Sequence, residues 1–319
     1  MKVINHYDAT SVADAVAMLD KYGNGAKVIG AGTDLFYQMK GFIKTDLPDY
    51  VINLKTIPNL NAITSDSNGL HIGPNATLAS VASNSTVAST YPLLAAAANN
   101  VATPNIRAVG TIGGNLCQEV WCWYYRWDRN EFNCLRKGGS TCYAQAGNNT
   151  FHSIFGGPGG CYAVAASDTA PALLALGASV TTSKQTIALK NFFKNLSPGH
   201  VLAADEIITS IDVPAPPSDN KQVFIKQRLR QGFDFALADV ALLAAPKSGT
   251  ITTASIWLNG VAPTPIEATD AENALKGNAI SSTVATNAGT AAVANAVAMP
   301  FNHYKVNIVQ ALVSRAILA

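Results

Sequence analysis

Charge is what this sequence has least of. Asp, Glu, Lys and Arg make up 13% of its 319 residues, about half of the ~25% usual in soluble proteins. The formal net charge is only +2 and no long basic run occurs, so the electrostatic footprint of a nucleic-acid binder is missing. The surface must be rich in Asn, Ser, Thr and Ala instead. Such a surface suits burial against partner subunits, and it equally suits a chain that is merely neutral and soluble. Long apolar runs are missing too: no window reaches the ~20 apolar residues of a membrane span. The start, MKVINHYDATSVADAVAMLD, lacks the apolar core of a secretory signal. A soluble cytoplasmic protein without a membrane span is the expectation.

Other absences exclude whole chemistries. His6, His71, His152, His200 and His303 are scattered, with no metal-ligand spacing. No Gly-x-Ser-x-Gly elbow and no acid pair marks a hydrolase. The cysteines number five, and an odd count argues against a simple set of disulfides. They contain neither the Cys-x2–4-Cys pairs of structural zinc nor the Cys-x2-Cys-x2-Cys run of ferredoxins.

What is present is a mixture of strands and helices, with 48% hydrophobic residues to build about two domains on the usual size prior. Ser11 reads as the N-cap of a helix carrying Val12, Val16 and Leu19. Ala26–Ile29 reads as a buried strand broken by Gly30-Ala31-Gly32, after which Thr33 and Asp34 offer helix-start chemistry. YVINL at 50–54 is a second strand and LHIG at 70–73 a third. Helices follow from Thr77 and from Pro92, then a glycine turn, TIGGNL. The stretch after Cys161 reads as strand, turn, helix, strand, with Ser167 or Asp168 capping the helix. A break falls near 182–195, and DVPAPPSDNK is an exposed Pro-rich loop. VFIKQRL and ITTASIWLNGVA read as strands of a separate sheet. FDFALADVALLAAP between them fits strand or helix, and the tail from Ala268 is mostly helical.

Three features carry chemistry. Val28, Ile29, Gly30, Ala31, Gly32, Thr33, Asp34 and Leu35 form a glycine turn after a strand, where backbone N–H groups can approach a pyrophosphate. A tight connection would look the same. The third glycine of a Rossmann fingerprint is replaced by Leu35, and no Gly-Lys-Ser/Thr of a P-loop follows. The second feature is Thr111-Ile112-Gly113-Gly114-Asn115, a β-turn or a further anion-facing turn. The third is the cysteine set: all five thiols lie between Cys117 and Cys161. Cys122, Cys134, Cys142 and Cys161 are separated by 11, 7 and 18 residues. That spacing leaves an iron–sulfur cluster, an unusual zinc site and redox disulfides open, the last least favoured in a cytoplasmic chain. Trp121, Trp123, Tyr124, Tyr125 and Trp127 crowd Cys122, either packing a loop or shielding a cluster.

Taken together, VIGAGTDL, ATPNIRAVGTIGGNLCQ, SDTAPALLALGA, KQRLRQGFDFALADVAL, VAPTPIEA and YKVNIVQALVSRAIL resemble the FAD-binding medium subunit of the molybdenum hydroxylases. This is the group of xanthine dehydrogenase, carbon monoxide dehydrogenase and aldehyde oxidoreductase, and the match runs in order through essentially the whole chain. The resemblance implies an α+β fold. A PCMH-type FAD-binding domain over 1–182, with subdomains of about 1–57 and 58–182, would precede a C-terminal domain of antiparallel sheet and helices over 183–319. It implies FAD contacts at 28–35, at Thr103, Ile106 and Gly110, at Thr111, Gly113, Gly114 and Asn115, and at Asp168 and Lys226.

The segment at about 117–161 is similar to the inserted loop of a subset that includes 4-hydroxybenzoyl-CoA reductase and periplasmic aldehyde oxidoreductases. VWCWYYRW stands where that subset has an RCPYFR-like segment. This implies a [4Fe–4S] cluster on Cys122, Cys134, Cys142 and Cys161, with Cys117 a bystander. Some relatives place a tyrosine over the flavin ring, but KNLSPGHVLAADEII has none, so the stacking residue stays open.

The implied function is electron transfer between [2Fe–2S] clusters of a small partner subunit, FAD and an external carrier. Substrate chemistry would lie on a large molybdopterin subunit, so no catalytic residue is expected here. A heterotrimer, or a dimer of heterotrimers, is implied, and export to the periplasm with a signal-bearing partner is the alternative to the cytoplasm. Two other readings compete: a stand-alone FAD oxidase, for which neither glycine loop supplies a flavin-linking histidine, and a zinc-stapled scaffold.

Overall fold

The computed structural model describes residues 2–319. Three sheets organise the chain. The first is parallel, with Tyr50–Asn53 central between Asn5–Asp8 and Ala26–Ile29. The helix Val12–Tyr22 crosses over it, capped by Ser11, whose hydroxyl accepts from Asp14 N–H. Ala15 and Leu19 of that helix bury against Ala26, Ile52 and Leu54, which is the apolar stripe of an amphipathic helix meeting the apolar face of a sheet.

The second sheet is five-stranded and antiparallel, in the order Ile63–Asp66, Gly69–Ile72, Ile208–Pro214, Ser179–Thr182, Thr186–Ala188. Its core takes in the helices Leu78–Ser83, Pro92–Asn100 and Thr169–Ala175. The change of domain expected at 182/183 falls inside this sheet. Ile208–Pro214 returns to sit at its centre, with Ile211 opposite both Ile72 and Val180, so the sheet continues to Pro214. The break expected near 182–195 contains the edge strand Thr186–Ala188.

The third sheet is antiparallel, in the order Ile266–Glu267, Thr253–Asn259, Ala238–Ala245, Lys221–Gln227. The helices Thr269–Leu275, Ser282–Ala291 and Tyr304–Leu318 cover it. The segment that fitted strand or helix is the strand Ala238–Ala245, buried at nearly every position. Burial on both faces removes the alternation that would have identified it.

The segment 118–161 has only short 3-10 turns, at Asp128–Asn130, Leu135–Lys137 and Pro158–Gly160. Ile43, Val120, Tyr125, Ala163 and three of the cysteines form its own small core. The strand expected after Cys161 reduces to a single bridge between Trp121 and Val164. No helix among the described residues is long and apolar enough to cross a membrane.

Candidate functional site

Two glycine segments meet. Val28 and Ile29 end a strand of the parallel sheet, Gly30 to Thr33 form the loop, and Leu35 opens the helix Leu35–Gly41. A Cβ added to Gly30 would lie 2.7 Å from Thr111 Oγ1 and 2.9 Å from Thr111 Cγ2, so only glycine allows this approach. Gly32 has φ +74°, and a Cβ there would enter the Phe36 ring.

On the other side, Thr111–Asn115 is not a plain turn. Ile112–Cys117 is a short helix, and Thr111 caps it by accepting from Gly114 N–H. Gly113 rests on Pro74, where a Cβ would sit 2.7 Å from Pro74 Cβ. Thr103 caps the neighbouring helix Pro104–Val109 by accepting from Ile106 N–H, Ile106 is exposed, and Gly110 accepts from Leu78 N–H. Asn115 Oδ1 accepts from Ser167 and Thr169 hydroxyls, each at 2.7 Å. The helix Thr169–Ala175 is capped through Ser167, whose Oγ accepts from Ala170 N–H, while the Asp168 side chain makes no cap bond.

Asp168 faces the C-terminal sheet. Lys226 Nζ donates to its Oδ2 at 2.6 Å, and also to Asn100 O at 3.1 Å. Asp239 is the cross-strand partner of both Lys226 and Asn259, and Asn259 Nδ2 donates to Asp239 Oδ2 at 3.0 Å and to Ser167 O at 3.2 Å. Burial raises the Asp168 carboxyl although Lys226 opposes it. Burial, reinforced by Asp168, raises Asp239 well above the usual carboxylate range. The resemblance implied FAD contacts at Asp168 and Lys226; here the two pair with each other, and Asp239 and Asn259 beside them were not anticipated. The available signal was an aspartate in an otherwise apolar strand, since a carboxylate so buried needs a partner.

Cys122, Cys134, Cys142 and Cys161 line one small cavity, together with Tyr124, Tyr125, Tyr143, Leu135, Arg136, Ala144 and Ala163. All five cysteines are free thiols. Among the described residues no group of three or more His, Cys, Asp or Glu converges on a single-ion position. Cys117 lies elsewhere, packed against the core of the five-stranded sheet. Burial pushes the Cys117 and Cys122 thiols up to about 12. It also raises Cys161, against the pull of Arg136. The donor set fits a thiolate-held polynuclear group: four thiols around one cavity, an apolar aromatic lining, and cations nearby. Arg136 Nε and Lys137 Nζ are buried without a hydrogen-bond partner, and the Lys44, Arg136 and Lys137 cations each stand 5.8–5.9 Å from the Tyr125 ring centroid.

A buried ion network joins the two sites, and none of it was anticipated beyond Asp34. Arg126 Nη1 donates to Asp34 Oδ1 at 2.7 Å, and its other nitrogens donate to Val120 O and Glu119 O. Asp34 Oδ2 accepts from Gln38 Nε2 and Glu119 N, so its carboxylate is engaged by the protein. Burial works to raise Glu119, but Arg136 at 2.9 Å and Lys44 at 3.2 Å hold it down to about 2. Tyr125, fully buried, donates from its hydroxyl to Gln38 Oε1 at 3.2 Å. The cysteine loop is thereby bolted to the helix that follows the first glycine segment.

Comparison with known proteins agrees with this geometry. Residues 2–216 match the family model of the FAD binding domain in molybdopterin dehydrogenase, and 224–319 match that of the CO dehydrogenase flavoprotein C-terminal domain. The chain is similar to the aldehyde oxidoreductase FAD-binding subunit PaoB of Escherichia coli (strain K12). The two are 30% identical over 285 residues, covering 85% of this chain and 86% of that protein. Against the carbon monoxide dehydrogenase medium chain of Afipia carboxidovorans the identity is 27% over 276 residues, covering 86% and 81%. A chain of carbon monoxide dehydrogenase from Hydrogenophaga pseudoflava shares the fold, with a TM-score of 0.78 at 24% identity over 100% of this chain and 97% of that one.

Proposed function

This chain belongs to the family of FAD-binding subunits of molybdopterin dehydrogenases, and on that premise we propose that it is the electron-transferring flavoprotein subunit of a multi-subunit molybdenum-dependent oxidoreductase. The observation that carries the reading is the meeting of the two glycine segments at Gly30 and Thr111. That approach sets the backbone N–H groups of the strand-end loop beside the helix start, which suits the pyrophosphate of FAD, although the helix-start N–H groups of Ile112, Gly113, Gly114 and Asn115 are taken by Ala76 O, Pro74 O, Thr111 Oγ1 and Thr111 O. Val28 to Leu35 and Thr111 to Asn115 would hold the diphosphate, with Thr103, Ile106 and Gly110 beside them. The buried Asp168–Lys226 pair would fix the C-terminal sheet against the same subdomain. Bound FAD would supply the carrier that accepts electrons singly or in pairs. Substrate chemistry would belong to a large molybdopterin subunit, with a small subunit bearing two [2Fe–2S] clusters between them; the relatives, named a FAD-binding subunit and a medium chain, are likewise parts of larger assemblies.

The second cofactor proposed is a [4Fe–4S] cluster on Cys122, Cys134, Cys142 and Cys161. What supports it is the convergence of these four thiols, from widely spaced positions, on one cavity lined by aromatic side chains, a donor set that such a cluster takes. Such a cluster would supply a one-electron relay. The chain's own part is to exclude water with Tyr124, Tyr125 and Tyr143 and to offset negative charge with Arg136 and Lys137.

The test is an absorption spectrum with flavin, iron, acid-labile sulfide and zinc analysis of the purified protein. One flavin with four irons and four sulfides per chain is expected, together with co-purification of the two partner subunits from the native source. Zinc without flavin would overturn both assignments.

A further inference from the structure

His152 is not absorbed by any of this. It sits 1% exposed at the end of the cysteine segment, with Nε2 3.2 Å from Cys122 Sγ. Its Nδ1 is buried with no partner. We propose that His152 is a tuning residue of the cysteine-held cluster, its Nε2–H donating to the Cys122 sulfur and raising the cluster's reduction potential. The inference rests on the [4Fe–4S] reading above.

An iron-bound thiolate can only accept, so with the cluster in place the proton of this contact would stand on Nε2. That tautomer leaves Nδ1 as a bare lone pair, which matches its unpartnered state. A donor to a ligand sulfur draws off negative charge, stabilises the reduced form more than the oxidised one, and so raises the potential. The effect is strongest where solvent is excluded.

The rest of the fold holds the ring in place. Trp123 and Tyr124 flank it at 5.8 and 5.7 Å. His152 N–H donates to Asn149 O, and His152 O accepts from Asn302 Nδ2 at 3.1 Å and from Lys305 Nζ at 3.2 Å. Lys305 is fully buried without a carboxylate and also donates to Phe151 O and Gly260 O. The helix Tyr304–Leu318 of the C-terminal domain thus fixes the imidazole against Cys122. A side chain that only filled space would not need a donor atom aimed at sulfur.

The experiment is a dithionite titration with redox mediators, followed by EPR, on the isolated complex carrying His152→Phe or His152→Gln. Iron and sulfide content are measured alongside, and those of the unaltered complex first. With four irons retained, His152→Phe is expected to shift the midpoint potential downward. His152→Gln, which keeps an N–H donor, should fall between it and the unaltered protein. An unchanged potential in His152→Phe with the cluster intact would overturn the role. Iron loss in both variants would also overturn it, by making His152 a ligand or a prop. Absence of iron and sulfide from the unaltered complex would instead remove the cluster reading on which it stands.

Discussion

Arg126 donates from Nη1 to Asp34 Oδ1 across 2.7 Å and joins the cysteine segment to the first glycine loop. The guanidinium is almost completely buried, and its remaining donors are spent on Val120 O and Glu119 O. With Glu119 N–H on Asp34 and Tyr125 on Gln38, this side chain ties the first glycine loop to the cysteine segment.

Replacing it should disturb both. Arg126→Met leaves Asp34 without its cation, and breaking such a buried pair costs on the order of 3 kcal/mol. Flavin and iron content are expected to fall together, with an earlier urea midpoint. Arg126→Lys should restore little, because one ammonium cannot reproduce the three-way planar fork. Loss of iron with flavin untouched would show that the two sites are independent.

Gly30→Ala tests the seam itself. The added methyl would meet Thr111 at 2.7 Å, and either the loop or the helix start must move. Weaker flavin binding by about tenfold or more is expected, since a displacement of that size removes hydrogen bonds worth ~1–2 kcal/mol in sum. The thermal midpoint should shift little. Fluorescence titration of the flavin-stripped protein reads it directly.

The cysteines should divide four to one. Serine at Cys122, Cys134, Cys142 or Cys161 is expected to abolish or degrade the cluster, seen as lost iron and visible absorbance. Cys117→Ser should leave iron unchanged, because Cys117 packs into a different core. Its cost should be ~1 kcal/mol of stability, for a hydroxyl in an apolar site. Iron loss in Cys117→Ser would contradict the assignment.

Acid stability should depend on His200. Burial lowers its pKa to about 4 from 6.5, and its ring stacks on Phe192. As pH falls from 6.5 to 4 the unfolded chain takes up a proton that the folded chain does not, so the His200 contribution is intact above pH 6.5 and lost through that window. His200→Phe keeps the stack and removes the titration. It should flatten the loss of unfolding free energy between pH 6.5 and 4 by ~2–3 kcal/mol. Parallel pH profiles of the two proteins would disprove this.

Much of the fold was legible in the chain because its signals are local. Ser11 caps the first helix, Ala26–Ile29 is a strand, and the first glycine pair stands where that strand ends. Four cysteines could be named as one set from the resemblance of VWCWYYRW to a family's inserted loop, and Cys117 set apart because it falls in GGNLCQ. Sheet membership was not legible. Ile208–Pro214 belongs to the five-stranded sheet because of its pairing with Gly69–Ile72 and Ser179–Thr182, far from it in sequence.

By itself, then, the sequence determined the family and caps such as Ser11, because capping, turn formation and motifs act over a few residues. Only the tertiary structure decided which buried charges compensate one another: Asp34 with Arg126, Glu119 with Arg136 and Lys44, and Asp168 with Lys226 beside Asp239. It also decided that His152, one of five scattered histidines, faces Cys122. The physical reason is shared. A buried charge or donor must find its partner within ~3 Å, and which groups come that close depends on cross-strand register and domain packing, which no local pattern encodes.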